Sequence, residues 1–261
     1  MAKVDANISF VIFYCVAPVL ILLLTARYIF GLTLKKLESK IFEHLLSWIS
    51  RRYLEKDKQL LFEPLADLKQ RSRGPFSILE IGLGCGENFK FYPKGTHFSC
   101  VEPSPHHDSV WKKRLENYRH IKLVDCFHTY AESMPDVKSD SYDVVVSTLT
   151  LCTVRDPPSV LKEIHRVLKP GGSFFTMEHV AGSKGSVIRA VQDLVTMYTP
   201  YSYVTGGCKM NRETWAYLDQ SGFQSVQYRQ YSINTWMLFF LRPFLYGTAV
   251  KKGIEEKIKS K

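Results

Sequence analysis

From Ala6 to Ala26 the chain carries no charged residue and consists mostly of Ile, Val, Leu, Phe and Tyr. About 20 apolar residues are what a helix needs to cross the ~30 Å hydrocarbon core of a bilayer. The stretch therefore predicts an uncleaved membrane anchor. A cleaved signal peptide would want a basic start, a shorter apolar run and a small-residue cleavage site. Here Lys3 is offset by Asp5, and Thr25-Ala26-Arg27-Tyr28 lacks such a site. A buried core helix is rarely so uniformly apolar at a chain terminus. Pro18 removes one helical hydrogen bond in mid-run, so a kinked span and a segment that enters and leaves by one leaflet both fit. Arg27, Lys35, Lys36 and Lys40 follow the run, and a basic flank of this kind places the body of the protein on the cytosolic side.

Between residues 34 and 49 the period becomes helical. Leu34, Leu37, Ile41, Leu45 and Trp48 recur on one face, with Lys35, Lys36, Lys40 and Glu43 between them. Two readings stand: a helix lying on a membrane surface among anionic headgroups, or one that covers the following domain.

From Phe76 the period changes again. Short β-type runs at 76–81, 96–102, 121–125, 142–148 and 173–179 alternate with helical stretches at 87–91, 107–117 and 158–168. Such alternation predicts an α/β fold with a parallel sheet and helices on both faces. The run Val144-Val145-Val146 suits a strand buried on both sides. Residues 224–230 and 239–250 predict two late strands. Arg71-Ser-Arg-Gly-Pro75 is the natural boundary before this domain. The organisation read from the pattern is an anchor (1–33), an amphipathic helical region (34–74), an α/β domain (75–252) and a basic tail (253–261).

Composition adds two points. The net charge of +10 suits a membrane-surface protein and would also suit a nucleic-acid binder. Against nucleic acid, no Asn/Asp-Pro-Pro-Tyr/Phe motif for a flipped base is present; Asp156-Pro157-Pro158 lacks the aromatic residue. The six cysteines form no CxxC pair, so a zinc ribbon or disulfide scaffold is not expected. His106-His107 has no third ligand at suitable spacing, and no metal is expected.

The chemistry concentrates at Leu79-Glu-Ile-Gly-Leu-Gly-Cys-Gly86, which closes the first strand. Gly82, Gly84 and Gly86 allow a tight bend with bare main chain against a ligand. The spacing is GxGxG, neither the GxGxxG of a dinucleotide fold nor the Gly-Lys-Ser/Thr of a phosphate loop. The next strand ends in Glu102, about 20 residues on, where a carboxylate suits a ribose diol.

Together these residues resemble the S-adenosylmethionine site of the class I methyltransferases. Leu161-x-x-Ile164-x-Arg166-Val-Leu-Lys-Pro-Gly-Gly172 resembles the turn those enzymes carry before their fifth strand. The resemblance implies that Glu80 lies near the methionine moiety with the glycine backbone beneath the ligand. It implies that Glu102 holds the ribose hydroxyls, that Ala131 and Glu132 border the adenine, and that Thr148 and Leu149, with the residues to Leu151, line the methyl-transfer side. A narrower similarity rests on the segments 88–93, 148–154 and 177–180 and on Arg242-Pro-x-x-Tyr-Gly-x-Ala-Val-Lys251. These resemble the membrane-anchored thiol S-methyltransferases, which implies an alkyl thiol acceptor and residence on endoplasmic reticulum and lipid droplets. Cys85 departs from the threonine many relatives carry, and Glu102 from their aspartate. Other apolar acceptors (a quinone, a lipid, a phenol) and an inactive membrane-docked scaffold remain as alternatives.

A thiol acceptor reacts as the thiolate. His179, at the end of the fifth strand, is the candidate base, and a structural histidine is the other reading of it. Glu178 should face the opposite side of the strand. Cys152 reads as a buried structural thiol. Residues 181–208, rich in Tyr and Met, read as a lid over the acceptor.

Overall fold

The computed structural model describes residues 50–199, 201–235 and 239–253. The predicted anchor and the stripe from Leu34 to Ile49 lie outside them. Among the described residues no helix is long and apolar enough to cross a membrane.

A π-helical turn (Ser50–Leu54) leads into α1 (Glu55–Phe62) and α2 (Leu65–Arg71). Seven strands follow: β1 (Ser77–Ile81), β2 (Thr96–Val101), β3 (Ile121–Phe127), β4 (Tyr142–Thr148), β5 (Leu168–His179), β6 (Ser225–Ser232) and β7 (Pro243–Val250). Between them lie α3 (Asp108–Leu115), α4 (Pro157–Val167), α5 (Val187–Tyr198), α6 (Tyr201–Val204) and α7 (Thr214–Asp219). The strands form one sheet in the order β3-β2-β1-β4-β5-β7-β6. The contacts from β3 through β5 are parallel, while β7 runs antiparallel to both its neighbours. The order reverses between β1 and β4, which opens a crevice at the carboxyl ends of the strands.

Apolar side chains bury both faces of the sheet. One face carries Ile78, Phe98, Val144 and Phe175, packed under Leu54, Leu61 and Phe62. The other carries Leu79, Val145 and Phe174 against Val160, Leu161, Ile164 and Val167 of α4. Those four positions recur at helical spacing on the inner stripe of α4, and Pro157 at its start has no amide hydrogen to leave unpaired. The described part of the amphipathic region, α1 and α2, thus covers the domain.

Several boundaries differ from the sequence expectation. The helix expected at 87–91 is a single 3-10 turn, Phe89–Phe91. Asn88 spends its side chain on inward hydrogen bonds, and Tyr92 is extended, as a residue before proline must be. The helix expected at 107–117 spans only Asp108–Leu115. The last strand begins at Pro243, not at residue 239; a 3-10 turn occupies Phe239–Leu241. The fifth strand starts earlier, at Leu168, because that residue pairs with Tyr142 across an irregularity. Finally, the sheet is not wholly parallel: β7 inserts between β5 and β6, a long-range pairing that periodicity does not report.

Candidate active site

Register places Ile81, Val101, Thr148 and His179 near one rim: Ile81 pairs with Val101 and with Ser147, and Thr148 with Met177. The glycine bend leaves β1 at that rim. Gly82 sits at φ +71° and donates to the Val101 carbonyl at 2.8 Å. A Cβ on it would fall inside the Thr150 side chain. Gly84 also has positive φ, yet a Cβ there would meet nothing within 4 Å. The bend is therefore held from below and open above, the shape a ligand against bare main chain requires.

Glu102 folds back onto this bend. Its Oε2 accepts the Gly84 amide at 3.1 Å and its Oε1 the Ser104 amide at 3.2 Å. The carboxylate is buried, and each oxygen keeps a lone pair for a further donor. A ribose diol supplies two such donors, so the residues present fit a nucleoside cofactor. The end of β3 is stitched to the same place, since Glu102 donates its amide to the Phe127 carbonyl at 3.0 Å. Beyond that strand Ala131 is buried, and Glu132 Oε1 accepts the Arg155 amide at 2.8 Å.

Glu80 lies beneath the bend, fully enclosed. Tyr92 donates to its Oε2 at 2.6 Å and Asn88 Nδ2 to its Oε1 at 2.7 Å. Asn88 Nδ2 also reaches Thr148 Oγ1 at 2.9 Å, and Asn88 Oδ1 accepts from Lys58 Nζ at 2.9 Å. Burial pushes Glu80 up to about 7 against these hydrogen bonds, and burial pulls Lys58 down to about 8. Both carboxylate oxygens of Glu80 are thus engaged by the protein, and its role here is to tie α1, the turn at 89–91 and β4 into one framework.

The segment after β4 threads across the crevice. Leu149 adopts φ +57°, and its amide bonds the Met177 carbonyl at 2.8 Å. Glu178 holds residues 150–152: its Oε1 accepts Thr150 N–H at 3.2 Å and Ser147 O–H at 3.1 Å, and its Oε2 accepts Cys152 N–H at 3.1 Å. Arg212, also buried, donates to the Leu151 and Val154 carbonyls. His179 is buried on the opposite face of β5, with Nδ1 3.9 Å from Cys208 Sγ.

Of the residues expected from sequence, the structure brings Glu80, Gly82, Gly84, Gly86, Glu102, Thr148 and Leu149 to one crevice. Ala131 and Glu132 stand on the loop beyond β3, and His179 at the end of β5. Sequence reasoning missed Lys58, Tyr92, Arg212 and the hydrogen bonds gathered on Glu178. Asn88, Tyr92 and Glu178 lie inside the segments 88–93 and 177–180 that carry the family likeness, so a finer reading of those could have found them. Lys58 carried no signal, because only tertiary packing buries it. One further cluster, Asp108, Cys126 and His128, gathers ligand-type atoms within 4.8 Å of one another. Lys112 Nζ already sits 2.8 Å from Asp108 Oδ2 and supplies that carboxylate with a cation.

The bend sets a prediction. Gly82→Ala forces a methyl group into Thr150 at a backbone angle that costs an L-residue about 1–2 kcal/mol before any clash. Cofactor affinity should fall at least tenfold, read by calorimetry with S-adenosylhomocysteine. A Gly84→Ala control, facing open space, should fall less.

Comparison with known proteins agrees with this geometry. A family model described as a methyltransferase domain matches residues 79–176. The thiol S-methyltransferase TMT1B of Mus musculus is 36% identical over 210 residues, covering 80% of this chain and 84% of its own. The thiol S-methyltransferase TMT1A of Homo sapiens is 35% identical, covering 74% and 78%. Among solved structures, an O-methyltransferase family protein from Burkholderia thailandensis superposes with a TM-score of 0.58 at 14% identity, covering 83% of this chain and 60% of that one. The phosphoethanolamine N-methyltransferase 2 of Haemonchus contortus, solved with S-adenosyl-L-methionine, gives 0.52 at 15% identity, covering 73% and 52%. Fold, bend, carboxylate and relatives converge: the chain belongs to the thiol S-methyltransferase family, within the class I methyltransferases that use S-adenosylmethionine.

Proposed function

We propose that this protein methylates small alkyl thiols at the cytosolic face of a membrane, held there by residues 1–33, with the catalytic unit spanning 75–252. The membranes proposed are those of the endoplasmic reticulum and of lipid droplets. The single observation that carries the thiol is the likeness to two thiol S-methyltransferases across most of both chains. The membrane rests on the uncharged run from Ala6 to Ala26. Support also comes from α5, where Val187, Leu194, Met197 and Tyr198 are exposed. An apolar surface of that kind beside the site suits an acceptor that partitions into lipid.

The bound cofactor supplies a sulfonium methyl group, whose transfer needs alignment more than covalent help. The chain provides that alignment. Glu102 holds the ribose hydroxyls, the amides around Gly84 and Ser104 hold Glu102, and the Glu80–Asn88–Thr148 framework fixes the wall of the crevice. His179 is the proposed base for the acceptor thiol.

The test is a panel of thiols, phenols and amines with labelled cofactor, run on membranes and on protein lacking residues 1–30. Alkyl thiols should be the preferred class. The truncated protein should leave the membrane and keep most of its turnover of a water-soluble thiol. Preferred methylation of phenols or amines overturns the acceptor, and retention on membranes overturns the anchor.

A further inference from the structure

His179 presents an unusual pair of ring nitrogens. Nδ1 lies 3.9 Å from Cys208 Sγ, while Nε2 is buried and has no hydrogen-bond partner among the described residues. Cys208 in turn is approached by several protons. Tyr201 donates its hydroxyl to the sulfur at 3.8 Å, and the Cys152 thiol hydrogen-bonds it as well. A sulfur ringed by an O–H, an S–H and a ring nitrogen is placed to accept. The Cys152 hydrogen bond, with His179 and Tyr201 adding to it, lowers Cys208 against the effect of its burial, and the same contact raises Cys152.

The arrangement is built in. Lys209 donates its amide to the Cys152 carbonyl at 2.9 Å, which pins the Cys208 segment to the loop after β4. Gly207, at φ +103°, lets the backbone pass where a Cβ would sit 2.8 Å from the Thr153 carbonyl oxygen.

We propose that Cys208 and His179 form a proton-accepting dyad, in which the Cys208 thiolate holds the proton on His179 Nδ1 and leaves the Nε2 lone pair to deprotonate the acceptor thiol. This rests on the thiol reading of the site. A thiolate accepts and cannot donate, so it selects the Nδ1–H tautomer, as a carboxylate does behind a catalytic histidine. In the step, the acceptor S–H bond breaks and its proton passes to Nε2. The electron pair stays on the acceptor sulfur, which forms the bond to the methyl carbon. The bond from that carbon to the sulfonium sulfur breaks, its pair remaining on that sulfur. The imidazolium faces the Cys208 anion until the methylated product departs, and its proton then passes to the water that takes the product's place. His179 is the catalytic residue and Cys208 a positioning residue. The other titratable or charged groups around the pair are Tyr201, Cys152, Glu178 on the opposite face of β5 and Arg212 behind the Leu151 carbonyl; from β7 the ring of Phe244 packs on His179.

A base matters for acceptors that are protonated at working pH and not for those already ionised. The experiment compares full-length wild type, Cys208→Ala and Cys208→Ser on aryl thiols, ionised at neutral pH, and on alkyl thiols, protonated there. Cys208→Ala should lose roughly 10–100-fold in kcat/KM on alkyl thiols and less than about threefold on aryl thiols, less than the loss of a whole general base because the imidazole itself remains. Cys208→Ser, whose hydroxyl can still accept from Nδ1, should recover part of the loss. Nitrogen NMR of the histidine ring supplies a readout apart from turnover: Nδ1–H in wild type and a mixed tautomer in Cys208→Ala. Equal losses on both thiol classes, or an unchanged tautomer, would overturn the dyad. If wild type methylates no thiol, the thiol reading fails, and the tautomer alone still decides whether Cys208 holds Nδ1. If Cys208→Ala does not fold, Cys208→Ser decides: a larger loss on alkyl than on aryl thiols supports the dyad, and equal losses overturn it.

Discussion

Glu102→Ala should weaken binding of S-adenosylhomocysteine by about 1.5–3 kcal/mol, roughly 10- to 150-fold in Kd, the range for a hydrogen bond to a charged group. Two effects act together. The ribose loses its acceptor, and the Gly84 amide, 3.1 Å from Glu102 Oε2, loses the group that orients the bend. Glu102→Gln separates them. It keeps one carbonyl oxygen and no charge, so it should fall between wild type and Ala. Calorimetry measures both variants without turnover, and an unchanged Kd would show that the ribose lies elsewhere. Glu102→Asp should cost least, because its shorter arm can keep one of the two oxygen contacts.

Glu178→Ala should be the most destabilising single change in the crevice. It removes the acceptor for the Thr150 and Cys152 amides and the Ser147 hydroxyl at once, and each buried donor left without a partner costs about 1–3 kcal/mol. A net loss of about 3–5 kcal/mol is expected, the lower part of the sum for three such donors. For a domain of this size that is roughly a 10 °C fall in Tm. The same residue sets a pH dependence. Burial pushes both Glu178 and Glu80 up to about 7 from an ordinary 4.5. A carboxyl with a higher pKa folded than unfolded binds its proton more tightly in the folded state. Its stabilising contribution is complete below pH 4.5 and is lost as the pH rises through about 7. Tm should therefore fall from pH 5 toward pH 8. Glu178→Gln should flatten that fall, and an unaltered slope would rule Glu178 out as its source. Lys58, lowered to about 8, acts in the other direction only above that pH, so the measurement stays below it.

The hydrogen bonds of Glu178 also account for the form of the loop after β4. A buried carboxylate that satisfies successive amides replaces the hydrogen bonds a loop would otherwise seek from water. Residues 150–152 can then cross the rim in an irregular path, with Leu149 at positive φ. Arg212 does the same for the carbonyls of that path. The polar groups of the loop are thus paired within the protein, as a path away from water requires.

Legibility in the sequence differs from element to element. The α/β alternation, the bend at 82–86 and the carboxylate at 102 were readable, because each depends on local order: strand period, the backbone freedom of glycine, and an acidic residue at a strand end. The family likeness pointed to the same crevice. The reversed β7 was not readable, since its partners Phe174 and Ser225 stand 75 and 25 residues from Ala249 and Val250. Neither was the cluster around Cys208, which joins residues 152, 179, 201 and 208.

The sequence by itself determined the glycine bend at 82–86 and the carboxylate at 102, since a strand that must be buried and a turn that must be glycine leave few places for polar chemistry. Only the tertiary structure decided the condition of the groups around them. Lys58 became a buried cation, Glu80 and Glu178 became carboxyls poised near neutrality, and a scattered thiol came to rest against a histidine. Burial and the choice of partner set a group's charge, and both are properties of the packed chain.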